Sequence, residues 1–171
     1  MKTFKSILVL MFGAVVLSLV VCPTAQAQSD ESEVNNMKEV CDFLKQCGAY
    51  YLATAENDQP RVRPFGTATV FENRLYIQTG KRKEVAKQMQ QNPKIEICAY
   101  NATSGAWVRI AATVVPDERR EAKAFMLNEY PMLQSMYSPD DDNTLVLYLT
   151  DATATFYSFA GEPRIVKFSG K

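Results

Sequence analysis

The sequence predicts a single α+β domain: a mainly antiparallel sheet of about six strands that curls toward a barrel and carries short helices at its ends. Three observations predict it. Segments of alternating apolar and polar residues recur along the chain, as in Lys94–Tyr100 and Trp107–Val114. Turn chemistry separates neighbouring segments, at Glu56-Asn57-Asp58, Glu72-Asn73 and Asn92-Pro93. Three other stretches repeat their apolar residues at helical spacing instead. A chain of 171 residues is long enough for one hydrophobic core and short enough to suggest no second one.

The N-terminus reads as an export signal. Lys2 and Lys5 precede an apolar run from Ile7 to Val21, and Ala25-Gln26-Ala27 then offers small residues at the positions a signal peptidase reads. The run falls short of the roughly 20 apolar residues a membrane span needs, and Pro23, Gln26 and Gln28 follow at once. Residues 1–27 are therefore expected to be cleaved, leaving a periplasmic or secreted protein. Val20-Val21 disfavours a lipid anchor at Cys22, because that site wants small residues before the cysteine.

Residues 28–36 are polar and read as a flexible arm. The folded domain is expected over 37–171. Val34, Met37, Cys41 and Leu44 share a helix face that ends near Gly48. Ala49–Ala55, Arg61–Phe71 and Leu75–Thr79 read as three strands of an antiparallel meander. Gly80 breaks the last of these, and Glu84–Gln91 forms a short helix with Val85 and Met89 on one face, stopped by Asn92-Pro93. Lys94–Tyr100 and Trp107–Val114 are strands around a small-residue loop. In the second, Val108, Ile110, Ala112 and Val114 face one way. Asp117 is expected to cap a helix in which Ala122, Phe125 and Met126 share a face with Glu129, ending before Pro131. An acidic loop, Ser138–Asn143, leads to strands at Leu145–Leu149 and Ala154–Phe159.

Composition excludes several functions. Lys and Arg number 19, Asp and Glu number 19, and there is no histidine. A balanced charge gives no footprint for nucleic acid or anionic membrane. Without histidine, His-containing zinc sites and His-based catalytic triads are impossible. Beyond the signal, Cys41, Cys47 and Cys98 make an odd count, so at least one thiol is unpaired within the chain.

Two segments carry chemistry. Thr79-Gly80-Lys81-Arg82-Lys83 lies where a strand ends and a helix begins. Backbone N–H groups and the dipole at a helix start favour an anion, and three adjacent cations suit a phosphate. The spaced glycines and Lys-Ser/Thr of a nucleoside triphosphate loop are absent; a solvated basic turn is the alternative. In Gln59-Pro60-Arg61-Val62-Arg63-Pro64-Phe65, Arg61 and Arg63 point to the same strand face. They are expected to lie opposite the strand that feeds Lys81–Lys83 and to converge with it on one anion. Trp107 offers an indole that either flanks a flat ring or packs at an interface.

In this order the segments resemble the pyridoxamine 5′-phosphate oxidase-like superfamily of FMN-binding split barrels. The resemblance rests on Tyr51-Leu52-Ala53-Thr54, Gln59 to Phe65, Leu75 to Lys83, Asn92 to Ile97 and Trp107-Val108-Arg109-Ile110. It implies a split barrel that dimerises, with FMN in a cleft between subunits. Arg82 and Lys83, with Lys81 beside them, would grip the phosphate, helped by Arg61 or Arg63. The backbone of Arg63, Pro64 and Phe65, and of Ile77, Gln78 and Thr79, would line the flavin and ribityl chain, and Trp107 would approach the ring. The residues by which vitamin B6 oxidases hold their substrate have no counterpart in these segments. The resemblance thus implies the fold and FMN rather than B6 oxidation.

Three functions follow as expectations: an FMN-dependent oxidoreductase acting on a small substrate, a protein that binds flavin, haem or another cofactor for storage or sensing without turnover, and a cofactor-free exported dimer. No side-chain acid or base is singled out for catalysis.

Overall fold

The computed structural model describes residues 25–170. Most of the expected export signal, Cys22 included, lies outside the described residues. Helix α1 (Ala25–Cys47) is followed by β1 (Tyr50–Glu56), β2 (Gln59–Phe65), β3 (Thr69–Phe71) and β4 (Arg74–Gly80). Helix α2 (Glu84–Gln91), β5 (Lys94–Asn101), β6 (Ala106–Asp117) and α3 (Arg120–Glu129) come next. A 3₁₀ turn (Pro131–Ser135), β7 (Thr144–Tyr157) and β8 (Arg164–Phe168) complete the domain.

The fold is α+β, with eight strands where six are expected. They form one antiparallel sheet in the order β2-β1-β5-β6-β7-β4-β3, with β8 added on β7. The path does not close: β2 and β3 end it on opposite sides, so the barrel is split. The single expected strand Arg61–Phe71 is two strands, because the chain leaves the sheet at Gly66–Ala68 and crosses the split. The expected meander is therefore corrected to two separate antiparallel pairs, β1–β2 and β3–β4. Conversely, two expected strands are one long strand, β7. It carries an extra residue opposite β6 between Ala111 and Thr113, with Asp151 at φ 50°. That bulge bends the strand without ending it.

Helix α1 fills the barrel mouth. Met37, Val40, Cys41 and Leu44 are at most 3% exposed and pack against the sheet's inner face. Leu52, Ile77, Ile97, Val108, Ile110 and Leu147 supply that face by strict alternation along their strands. The segment read as a loose arm, 28–36, is the first part of α1. Glu33 accepts hydrogen bonds from the backbone N–H and hydroxyl of Ser169, and Asn36 donates to the Lys167 carbonyl. These bonds dock it to β8, a strand with no expectation in the sequence.

Asp117 does not cap α3. It ends β6 with its side chain inward, accepting the Tyr76 hydroxyl at 2.8 Å and the Arg119 backbone N–H at 3.0 Å. Arg119 takes the N-cap position. Burial raises the Asp117 carboxyl, but the Arg119 and Tyr76 hydrogen bonds outweigh it and hold the group at about 2. This cluster ties the start of α3 to Tyr76 of β4.

Candidate cofactor groove at the split of the barrel

The two features singled out by sequence meet at the split. The chain crossing from β2 to β3 passes the C-terminal end of β4, and the two form a groove of about 360 Å³. Pro64, Phe65 and Thr67 line one side, Gln78 and Thr79 the floor, and Lys83 one end. The remaining wall is Tyr130, Met132, Leu133, Met136 and Tyr137. The volume lies within the range of about 300–1,000 Å³ common for small-molecule sites, and the lining is mostly apolar.

Buried hydrogen bonds hold the crossing in place. Tyr50, 1% exposed, donates its hydroxyl to the Thr67 carbonyl at 2.7 Å. Thr67 Oγ1 accepts the Gln78 backbone N–H at 3.0 Å. The Tyr130 hydroxyl accepts from the Ala68 N–H and donates to the Ala68 carbonyl. Burial pushes the Tyr130 phenol up, which keeps it protonated and able to donate. Gly80 permits the close approach beyond β4: a Cβ there would sit 3.2 Å from the Asn143 amide and the Tyr137 hydroxyl.

The basic turn differs from its expected form. Its backbone N–H groups are already engaged: Lys81 donates to the Asn143 carbonyl, Arg82 to Asn143 Oδ1 and Lys83 to the Gly80 carbonyl. Any anion here would be met by side chains rather than by those amides. The Lys81 ammonium is 2.6 Å from Glu118, on the far side of α2 from the groove. Arg82 and Lys83 are exposed and form no ion pair among the described residues.

The two arginines of β2 also part company. They share a face, as expected, opposite Thr54 and Leu52 in the register with β1. Arg61 pairs with exposed Glu56. Arg63 lies half-buried and donates to the Leu52 carbonyl at 3.2 Å, to Thr54 Oγ1 at 2.7 Å and to Gln88 Oε1 at 2.7 Å. Its partners are on β1 and on α2, so it clasps the edge strand to the helix that follows the basic turn. β2 is not adjacent to β4 in the sheet, so the arginines do not face the basic turn across neighbouring strands as expected; Arg63 reaches α2 instead.

Ile77 is fully buried in the core, so only its backbone can face the groove. Trp107 is not part of the groove within one chain. It pairs in register with Tyr157 at the end of β7, whereas Gly80 pairs with Thr144 at the start. There it stacks on Tyr157 at 5.2 Å and meets Phe159 at 5.5 Å.

Sequence reasoning missed the Tyr130–Tyr137 wall. Its signal was present: apolar Met132, Leu133 and Met136 directly after a helix-ending Pro131. The three cysteines are free, and burial pushes the Cys41 thiol up to about 11, so it is a core residue and not a nucleophile. Cys98 is exposed.

Comparison with known proteins agrees with this architecture. The family model described as pyridoxamine 5′-phosphate oxidase matches residues 37–156. A NimC/NimA family protein from Clostridium acetobutylicum is 44% identical, with a TM-score of 0.79, covering 82% of this chain and 98% of its own. General Stress Protein 26 from Bacillus anthracis shares the fold at 14% identity and a TM-score of 0.60, over 79% of this chain and 98% of its own. A pyridoxamine 5′-phosphate oxidase-related, FMN-binding protein from Nostoc punctiforme shares it at 16% identity and a TM-score of 0.51, over 87% and 100%. No curated protein sequence matches the chain.

Proposed function

The chain belongs to the pyridoxamine 5′-phosphate oxidase family, and on that premise we propose that it is an exported FMN-binding oxidoreductase that works as a homodimer on a small substrate. The observation that carries the reading is the groove itself: a mostly apolar cleft at the end of β4, with two unpaired cations on the turn that follows. A flat ring with a charged tail needs that combination.

Lys83 at the groove end and the neighbouring Arg82 would hold the phosphate by charge-assisted hydrogen bonds. Lys81 and Arg61, each paired to a carboxylate, would add positive potential rather than direct contact. Pro64, Phe65 and the backbone of Ile77 to Thr79 would bound the ring. Trp107 would have to come from a second copy. A second copy has a surface to use: Tyr51, Val62 and Tyr100 are 57%, 68% and 54% exposed on the outer face of β1, β2 and β5. Bound FMN supplies reversible electron and hydride transfer, and the protein supplies position, electrostatics and exclusion of water.

The mature protein should be yellow, with a flavin spectrum that bleaches on reduction and FMN released on denaturation. Lys83→Ala with Arg82→Ala should lose most of the flavin, and Lys81→Ala little. A colourless protein that takes up no added FMN would refute the reading. One observation favours a second reading, flavin binding without turnover. No carboxylate lines the groove, and its titratable side chains are Lys83 and two tyrosines. A bound flavin that no physiological donor reduces would select that reading.

A further inference from the structure

Gln78 is out of keeping with its surroundings. It is 6% exposed, it lines the groove, and neither Oε1 nor Nε2 has a hydrogen-bond partner. Its main chain is not at fault, since its N–H is satisfied by Thr67 Oγ1. Among the described residues the only other buried side-chain polar atom without a partner is Thr144 Oγ1. A buried carboxamide that bonds to nothing lowers stability, and leucine or methionine would fill the same space without that cost. Such groups are rare in native proteins and call for an explanation, and one that borders a cleft can be completed by a ligand.

The chemistry of the side chain limits the ligand. A carboxamide presents a donor beside an acceptor. A phosphate or carboxylate offers acceptors only and leaves Oε1 opposed by negative charge. A hydrocarbon ring leaves both atoms unpaired. The full complement is a carbonyl next to an N–H on a rigid ring, the edge of a lactam or imide. The pyrimidine end of a flavin carries that edge, its N3–H flanked by two carbonyls.

We propose that the Gln78 side chain reads the lactam edge of the bound ring, its Nε2 donating to a ring carbonyl and its Oε1 accepting the neighbouring ring N–H. This rests on the FMN reading above and deepens it. Three rotatable bonds let the carboxamide turn from its shielded position into the groove as the ring enters. Lys83 and Gln78 then divide recognition: one end of the ligand is held by charge, the other by a neutral donor–acceptor pair that tests ring identity.

The test compares FMN with 3-methyl-FMN, in which a methyl group replaces the N3 proton, by titration of the flavin-free mature protein. Wild type should bind FMN about tenfold more tightly, the value of one to two net hydrogen bonds. Gln78→Met should bind FMN about tenfold more weakly, discriminate the two flavins less than twofold, and melt without flavin no lower than wild type. Equal binding of both flavins by wild type overturns the inference and leaves the FMN reading standing. So does discrimination that survives in Gln78→Met. Failure of wild type to bind either flavin overturns both. The wild-type comparison needs no variant, so it decides the matter even if Gln78→Met does not fold.

Discussion

Replacing Arg63 by methionine should destabilise the domain, whereas replacing Arg61 by alanine should not, although the two residues share one face of one strand. Arg63 makes three hydrogen bonds to protein acceptors, all of them on buried residues, Leu52, Thr54 and Gln88. Methionine keeps much of the apolar stem but none of the bonds. At roughly 0.5–1.5 kcal/mol net for each bond, the loss is about 3 kcal/mol. At roughly 2–4 °C per kcal/mol for a domain near this size, the melting temperature falls by about 6–12 °C. Arg61 is half-exposed and pairs with Glu56 at the surface, so its loss costs within about 0.5 kcal/mol. Thermal unfolding of the flavin-free protein, followed by circular dichroism, measures both. An Arg63→Met variant melting within 2 °C of wild type, or an Arg61→Ala variant falling as far as Arg63→Met, would refute the clasp. If the clasp holds and α2 orients Lys83, Arg63→Met should also weaken FMN at temperatures where it is fully folded.

Acid should unfold the protein through Asp117. Its carboxyl sits at about 2 when folded against an ordinary value of 3.8, so the stability it contributes is present above about pH 4 and is lost as pH falls toward 2. The shift corresponds to about 2 kcal/mol before solvent at half-exposed Arg119 is counted, and to about 1 kcal/mol after. Asp117→Asn should therefore be less stable at pH 6 and lose less between pH 4 and 2. Asp141, also held at about 2 by the backbone N–H groups it accepts against the pull of burial, accounts for the slope that remains. An unchanged acid limb in Asp117→Asn would count against this assignment. Gly170→Ala should loosen the C-terminus. Gly170 has φ +59°, a Cβ there would lie 2.5 Å from the Leu149 carbonyl oxygen, and its own carbonyl accepts Arg74 Nε at 3.1 Å. A cost of roughly 1–3 kcal/mol in urea unfolding is expected, and a variant as stable as wild type would show that the last residues bear no load.

Local pattern by itself determined much of this protein. Alternation in Lys94–Tyr100 and Trp107–Val114 placed Ile95, Ile97, Val108 and Ile110 on the inner face, because a strand's two-residue period holds whatever it pairs with. Glu72-Asn73 specified a tight turn, and both residues adopt the positive φ that a two-residue hairpin demands. The basic turn after β4 was legible as charge. Which of its cations is free was not, because Glu118 and Asn143 reach it from 35 or more residues away. The same holds at both ends of the chain. Residues 28–36 lack the composition of a packed helix, and the partners of Glu33 and Asn36 there, Ser169 and Lys167, lie more than 130 residues away. Arg61 and Arg63 were indistinguishable in sequence, since strand spacing sets a face and not what waits opposite it. Tertiary structure brought α2 under one and left the other in water. It also buried Gln78 without a partner, a property no pattern reveals, because a side chain is unsatisfied only relative to everything packed around it.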